Sequence, residues 1–242
     1  AGVSSFSVTY TTNDDSVVDS ATRETLPLTI GGVPATGGII DNDQPSITGV
    51  EVGAPGTADD NVVEGNALVY NVTLSTATLA PASYDFVVGS GTATAGTPTT
   101  GDYNATPVFS DGVTYNSTTG KITVPAGVSS FSVTYTTNDD SVVDSATRET
   151  LPLTIGGVPA TGGIIDNDQP SITGVEVGAP GTADDNVVEG NALVYNVTLS
   201  TATLAPASYD FVVGSGTATA GTPTTGDYNA TPVFSDGVTY NS

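Results

Sequence analysis

The sequence predicts an all-β chain assembled from tandem sandwich domains, and three observations carry that expectation. Short segments alternate apolar and polar residues with a period of two. Glycine and proline, 29 and 15 of 242 residues, punctuate those segments. The chain also repeats itself: all 117 residue pairs separated by 125 positions are identical. A period of 125 exceeds the roughly 20–50 residues of a solenoid unit and matches one autonomous domain.

The elements follow in order within one repeat. Ser46–Val52 reads as an opening strand after the Gln-Pro step at Gln44–Pro45, where proline holds its predecessor extended. Ala67–Ser75 places Leu68, Tyr70, Val72 and Leu74 on one face. Tyr84–Ser90, Gly112–Tyr115 and Lys121–Val124 follow, separated by glycine-rich turns. Ser129–Thr137 alternates Phe131, Val133 and Tyr135 against Ser130, Ser132 and Thr134. Thr150–Ile155 puts Leu151, Leu153 and Ile155 inward, and Pro152 argues for an edge or a bulge there. Gly162–Asp166 closes the set. Seven or eight short strands with turn signals and no helical period read as an immunoglobulin-like Greek-key β-sandwich.

The acidic segment IIDNDQPSI recurs at Ile39–Ile47 and Ile164–Ile172 and reads as the joint between repeats. On that division residues 44–168 are one complete repeat. Residues 1–43 are the C-terminal part of a preceding repeat, and 169–242 the N-terminal part of a following one. With no initiator methionine and no leader pattern at its start, the chain is expected to be a slice of a longer array. The two flanking parts carry apolar residues that need cover, and two sources of it are open: head-to-tail pairing of these halves between molecules, or the rest of a longer chain.

Composition excludes several functions. The chain holds 26 acidic and 3 basic residues, a net charge of −23. Phosphate-bearing partners, nucleic acid or anionic membrane, are repelled by such a surface. There is no His, Cys, Met or Trp. Histidine bases, thiol nucleophiles, disulfides and zinc sites of the Cys/His kind are therefore out of reach. Carboxylate pairs alone can hydrolyse glycosides, but no aromatic cleft accompanies them, so no enzyme is expected.

Strand parity shows where the acids go. Each antiparallel strand reverses the chain, so alternate loops fall at the same end of the sandwich. Asp59, Asp60, Glu64, Asp102, Asp139, Asp140, Glu149, Asp166 and Asp168 all fall at the end where the chain leaves for the next repeat. Their copies in the flanking parts are Asp14, Asp15, Glu24, Asp41 and Asp43, and Asp184, Asp185, Glu189 and Asp227. Two unit charges about 4 Å apart repel by about 4 kcal/mol at an effective dielectric of about 20. Arg23, Lys121 and Arg148 are the only cations available. A hard divalent cation relieves that repulsion. Calcium takes six to eight oxygen ligands, whereas magnesium demands a tighter octahedron. Several structural Ca²⁺ ions are thus expected. Asp85, Asp111 and Glu51 fall outside the set and read as solvated surface.

These segments also carry a resemblance. VVEGNALVYNVTLS, TGDYNATPVF, KITVPAGVSSFSVTYTTNDD, RETLPLTI and GGIIDND resemble the Calx-beta pattern. The tandem copies look most like the extender repeats of giant bacterial RTX adhesins. The resemblance implies calcium ligands at Glu64, Asp102, Asp139, Asp140, Glu149, Asp166 and Asp168. The insertion GAPGTADDN leaves open whether Asp59 and Asp60 join them. Asn138 and Asn167 stand where further acids would raise the number of ions. The resemblance further implies type I secretion, an extracellular or cell-surface location, and a spacer role in surface attachment or biofilm. The alternative is a glycan- or protein-binding sandwich, with Tyr84, Tyr103, Tyr115 and Tyr135 as stacking candidates.

Overall fold

The computed structural model of the chain describes residues 2–19, 21, 23–54, 56, 60–144, 148–179, 181 and 186–241. It divides into two compact units, Ala1–Asp168 and Gln169–Ser242. Every regular element among the described residues is a β-strand.

In the first unit, residues 2–19 contain no strand. Strands β1 (Arg23–Ile30) and β2 (Val33–Ile40) then form an antiparallel hairpin. Its two-residue turn is Gly31–Gly32, with φ of 59° and 83°. Two successive left-handed residues give a turn whose twist matches the strands, and glycine adopts it without steric cost. This hairpin is local and needs no distant partner.

The remainder of the first unit is a two-layer sandwich of ten strands. They are β3 (Ile47–Val52), β4 (Asn61–Val63), β5 (Ala67–Leu74), β6 (Ala82–Val88), β7 (Val108–Phe109), β8 (Thr114–Asn116), β9 (Lys121–Val124), β10 (Ser130–Thr136), β11 (Glu149–Ile155) and β12 (Val158–Ile165). One sheet has the order β3-β5-β10-β7 and the other β4-β12-β11-β6-β9-β8. The chain crosses between the sheets repeatedly, at β5 to β6 and β10 to β11 among others, and the result is the all-β sandwich expected from the sequence. Sequence pattern had not marked β4 and β7. Both are only two or three residues long and carry too few positions to show a period.

The core lies between the layers. Leu68, Tyr70, Val72, Phe131, Val133 and Tyr135 face Phe86, Ile122, Val124, Leu151, Leu153 and Ile155, all buried. Burying each large apolar side chain contributes about 1.5–3 kcal/mol. The Tyr70 hydroxyl donates to the Leu151 carbonyl and accepts the Gly162 N–H, joining the two sheets. Glycine is required at 162, because a Cβ there would sit 2.7 Å from that hydroxyl and 2.8 Å from Leu68.

Pro152 corrects one expectation. Its strand β11 is interior, between β12 and β6, not at an edge. Proline is tolerated there because backbone pairing with β6 begins at Leu153. The Pro152 carbonyl still accepts the Gly89 N–H at 2.8 Å. Its ring lies over Gly89 and Gly91, where added Cβ atoms would approach to 3.0 and 2.6 Å. Beyond it, Thr92 and Thr150 exchange N–H to hydroxyl bonds of 3.1 and 2.8 Å in place of the ladder.

In the second unit, β13 (Ile172–Val177) pairs antiparallel with β14 (Tyr195–Leu199). The one-residue shift after Ile172 repeats the shift after Ile47 in β3. No further strand occurs among the described residues of this unit.

Candidate metal centre

The loops at the exit end of the sandwich are tied together by the backbone. The Glu64 N–H reaches the Ile165 carbonyl, Gly65 reaches Asn138, and Asn138 reaches Asp102. Three loops far apart in sequence, after β4, β6 and β10, thus meet the segment that follows β12. Two groups of three carboxylates result: Glu64 with Asp166 and Asp168, and Asp102 with Asp144 and Glu149. Within each group, one oxygen from every residue lies within 4.8 Å of the others. Asp166 borders both. It sits in the first group, and its carboxylate accepts the Asp144 N–H at 2.9 Å.

The electrostatics show how poorly these acids tolerate one another. Glu64 is buried, and its carboxyl is pushed up to about 7. Desolvation is the main cause, followed by Asp168, Asp166 and Asp140; the Asn167 N–H bond works the other way. Glu149 is pushed up to about 8, first by burial and then by its contact with the Asp102 carboxyl. Asp144 and Asp168 are raised too, by burial first and then by neighbouring acids. Among the described residues the ion pair is Lys121 with Asp85 at 2.6 Å, on the exposed surface. The Arg148 guanidinium turns to the Asn61 side-chain oxygen instead.

These residues fit a hard cation. Glu149 Oε2 and Asp168 Oδ2 are buried and find no hydrogen-bond donor. A buried carboxylate oxygen without a donor is costly, and a cation bound by oxygen supplies the missing positive partner. No nitrogen or sulfur ligand stands nearby, which fits calcium-like rather than soft metals. The two groups can therefore hold a metal ion.

The expected residues divide as follows. Glu64, Asp102, Glu149, Asp166 and Asp168 enter the two groups. Asp140 lies close enough to raise Glu64, Asp144 and Asp168, while its own carboxylate accepts the Val142 N–H. Asp139 accepts the Asn167 side-chain amide at 3.3 Å. Asp60 is at this end but outside both groups; its carbonyl accepts the Gly163 N–H. Asp59, Asp184 and Asp185 lie outside the described residues. Asp144 was not among the expected ligands, and enters because the loop after β10 folds back onto Asp166.

The flanking copies hold parts of the same arrangement. Asp19 N–H donates to Asp41 at 2.9 Å, and the Asn42 amide to Asp14 at 3.2 Å, as their counterparts do at Asp144 and Asn167. Asp15 accepts the Val17 N–H. Burial, then Asp41, Asp15, Asp14 and Asp19, raise Asp43. Asp227 is lowered by the Thr219 N–H and hydroxyl, both on its carboxylate. Glu24 lies in β1, paired with Ile39. Glu189 is exposed. None of these forms a three-acid group among the described residues.

The stacking candidates are mostly closed to ligands. Tyr84, Tyr103 and Tyr135 are buried, and Tyr115 is 39% exposed beside Phe86 and Phe109.

No family model matches the chain, and no curated protein does. Solved structures of the S-layer protein SbsC are similar at low identity. Its domains 4 and 5 share 15% identity over 60% of this chain and 57% of that one, with a TM-score of 0.24. Its domains 4–9 share 14% over 74% of this chain and 24% of that one, TM-score 0.25. Its residues 31–844 share 13% over 75% and 26%, TM-score 0.26. Likeness of that degree carries no functional argument.

Proposed function

We propose that the chain is a structural spacer, an extender segment of a secreted cell-surface adhesin. On this reading its sandwiches are stabilised and its joints stiffened by Ca²⁺. The observation that carries the reading is the pair of carboxylate groups gathered where the chain leaves the sandwich, with buried oxygens that no donor reaches. Asp166 and Asp168 belong at once to that cluster and to the joint with the next repeat. An ion held there would fix the joint as well as the loops. Without it, adjacent carboxylates repel and the joint loosens. Identical repeats also favour a spacer, since length needs no diversity, whereas a recognition surface gains from varied loops.

Thermal unfolding by circular dichroism tests this, in calcium, in magnesium and in excess chelator. Calcium at 100 times its dissociation constant is expected to add about 2.7 kcal/mol, with magnesium giving much less. Glu149→Gln should reverse sign between conditions: more stable than wild type in chelator, and a smaller calcium gain. Identical melting in all three solutions would remove calcium from the account.

A further inference from the structure

Three Asn-x-Thr triplets fall within the complete repeat: Asn71-Val72-Thr73, Asn104-Ala105-Thr106 and Asn116-Ser117-Thr118. That triplet is the acceptor pattern for an N-linked sugar, and a bulky sugar needs an asparagine at the surface. The fold treats the three differently. Asn71 lies half-buried inside β5, and its side-chain amide donates to the Gly53 carbonyl. Asn104 and Asn116 are exposed. At each, the side-chain oxygen accepts the backbone N–H of the threonine two residues on, at 2.9 Å for Thr106 and 3.0 Å for Thr118. With the oxygen held in the turn, Nδ2 is left to solvent. Among the described residues neither Nδ2 has a hydrogen-bond partner, and neither does the hydroxyl of Thr106 or Thr118. Asn66, Asn138 and Asn167 belong to no such triplet, and each donates its Nδ2 to a carbonyl or a carboxylate. The second unit sorts its copies the same way. Asn229 accepts the Thr231 N–H at 3.0 Å, while the Asn196 amide donates to the Gly178 carbonyl.

We propose that Asn104 and Asn116 of the folded chain are acceptors of an N-linked sugar. The donor is a sugar whose C1 carries a diphosphate, and a glycosyltransferase supplies the base. The Nδ2–C1 bond forms and the C1–O bond to the diphosphate breaks. The diphosphate departs with the electron pair, and one Nδ2 proton passes to the base. The side chain stays uncharged, so the acidic surface keeps its balance.

The place of the two residues gives the sugars a role. β7 and β8 are edge strands, one in each sheet. They lie side by side: the Phe109 and Tyr115 rings are 6.1 Å apart, and Phe86 packs edge-on against both. Asn104 stands just before β7, and Asn116 is the last residue of β8. Val108, 64% exposed, lies on this side as well. An open strand edge is a template for pairing with another sheet, and identical repeats multiply such edges. Sugars flanking β7 and β8 hide this side from neighbouring copies. The role rests on the cell-surface part of the reading above and is independent of calcium.

Peptide mass spectrometry tests the assignment, on the protein recovered from the surface of the cells that make it. Peptides holding Asn116, and those holding Asn104 or its identical copy Asn229, should carry sugar. Peptides holding Asn71 or its copy Asn196 should carry none. A single sugar at each site marks a nucleotide-linked donor and an oligosaccharide a lipid-linked one, and either supports the proposal. Bare Asn104 and Asn116 would overturn it. Sugar on Asn71 would overturn it too, because only an unfolded chain presents that residue. Thr118→Ala keeps the backbone N–H of the turn and removes the hydroxyl. It should lose the sugar at Asn116 while Asn104 keeps its own; retention at Asn116 would count against the triplet. The double variant Asn104→Gln and Asn116→Gln should scatter more light than the wild type when both are concentrated in calcium below their melting temperatures. Equal scattering would remove the shielding role. Calcium-dependent melting of a chain that carries no sugar would leave the spacer reading standing and overturn this proposal. Sugar on a chain whose melting ignores calcium would do the reverse.

Discussion

Residues 130–136 and 5–11 have one sequence and two fates. In the complete sandwich the segment is β10, paired on both sides, with Phe131 and Tyr135 4% and 1% exposed. In the N-terminal flank it forms no strand, and Phe6 and Tyr10 are 74% and 61% exposed. The neighbouring hairpin behaves differently. β11–β12 and β1–β2 form in both settings with the same register, Leu151 opposite Gly162 and Leu26 opposite Gly37. The Gly-Gly turn encodes that hairpin locally. β10 depends on β5, some sixty residues earlier in the chain, and without it the period-two pattern specifies nothing. Alternation is an instruction that needs a partner to be executed.

The comparison can be broken by single substitutions made at equivalent positions. Phe131→Ala should cost about 3–5 kcal/mol in unfolding free energy, while Phe6→Ala changes the melting of the sandwich by less than about 0.5 kcal/mol. Equal effects at the two sites would mean that the flank is packed in solution. Tyr70→Phe should cost about 1–3 kcal/mol, because the Leu151 carbonyl and Gly162 N–H lose their shared hydroxyl. Tyr195→Phe, at a residue 60% exposed, should be silent in denaturant titrations.

A graded effect of pH sharpens the contrast further. Glu64 and Glu149 bind protons more tightly folded than unfolded, with values of about 7 and about 8 against an ordinary 4.5. The folded state therefore carries extra protons across that window, and stability declines as pH rises through it. In chelator, melting should be highest near pH 4.5 and fall towards pH 8. Calcium, or the pair Glu64→Gln and Glu149→Gln, should flatten the slope. A stability that rises over the same range would contradict the crowding of these acids.

Much of this was legible in the residues. Period-two patterning located the long strands because each has one face on the core, as in Leu68, Tyr70, Val72 and Leu74. Parity of the long strands anticipated the gathering of Glu64, Asp102, Glu149, Asp166 and Asp168, although β4 and β7 were absent from the count. What escaped was set by tertiary contact. β4 is defined by its parallel ladder to β12, about a hundred residues later, and not by its own three residues. Pro152 is interior because Gly89 and Gly91 make room for its ring. Asp144 joins its group through a loop that folds back on Asp166, a path no linear spacing encodes.

The parallel pairing of β4 with β12 has a mechanical consequence. β4 lies near the start of the sandwich sequence and β12 at its end, side by side and pointing the same way. Tension applied along the chain enters through β3, which is paired with β5, and leaves by the C-terminal side of β12; once β3 has detached, it draws β4 by its N-terminal side. The two strands are then loaded in shear, so their ladder bonds resist together instead of opening one after another. The Glu64 N–H bond to Ile165 prolongs that seam into the carboxylate cluster. Any ion bound there would sit at the end of that seam, as a rivet that must slip before the two strands part.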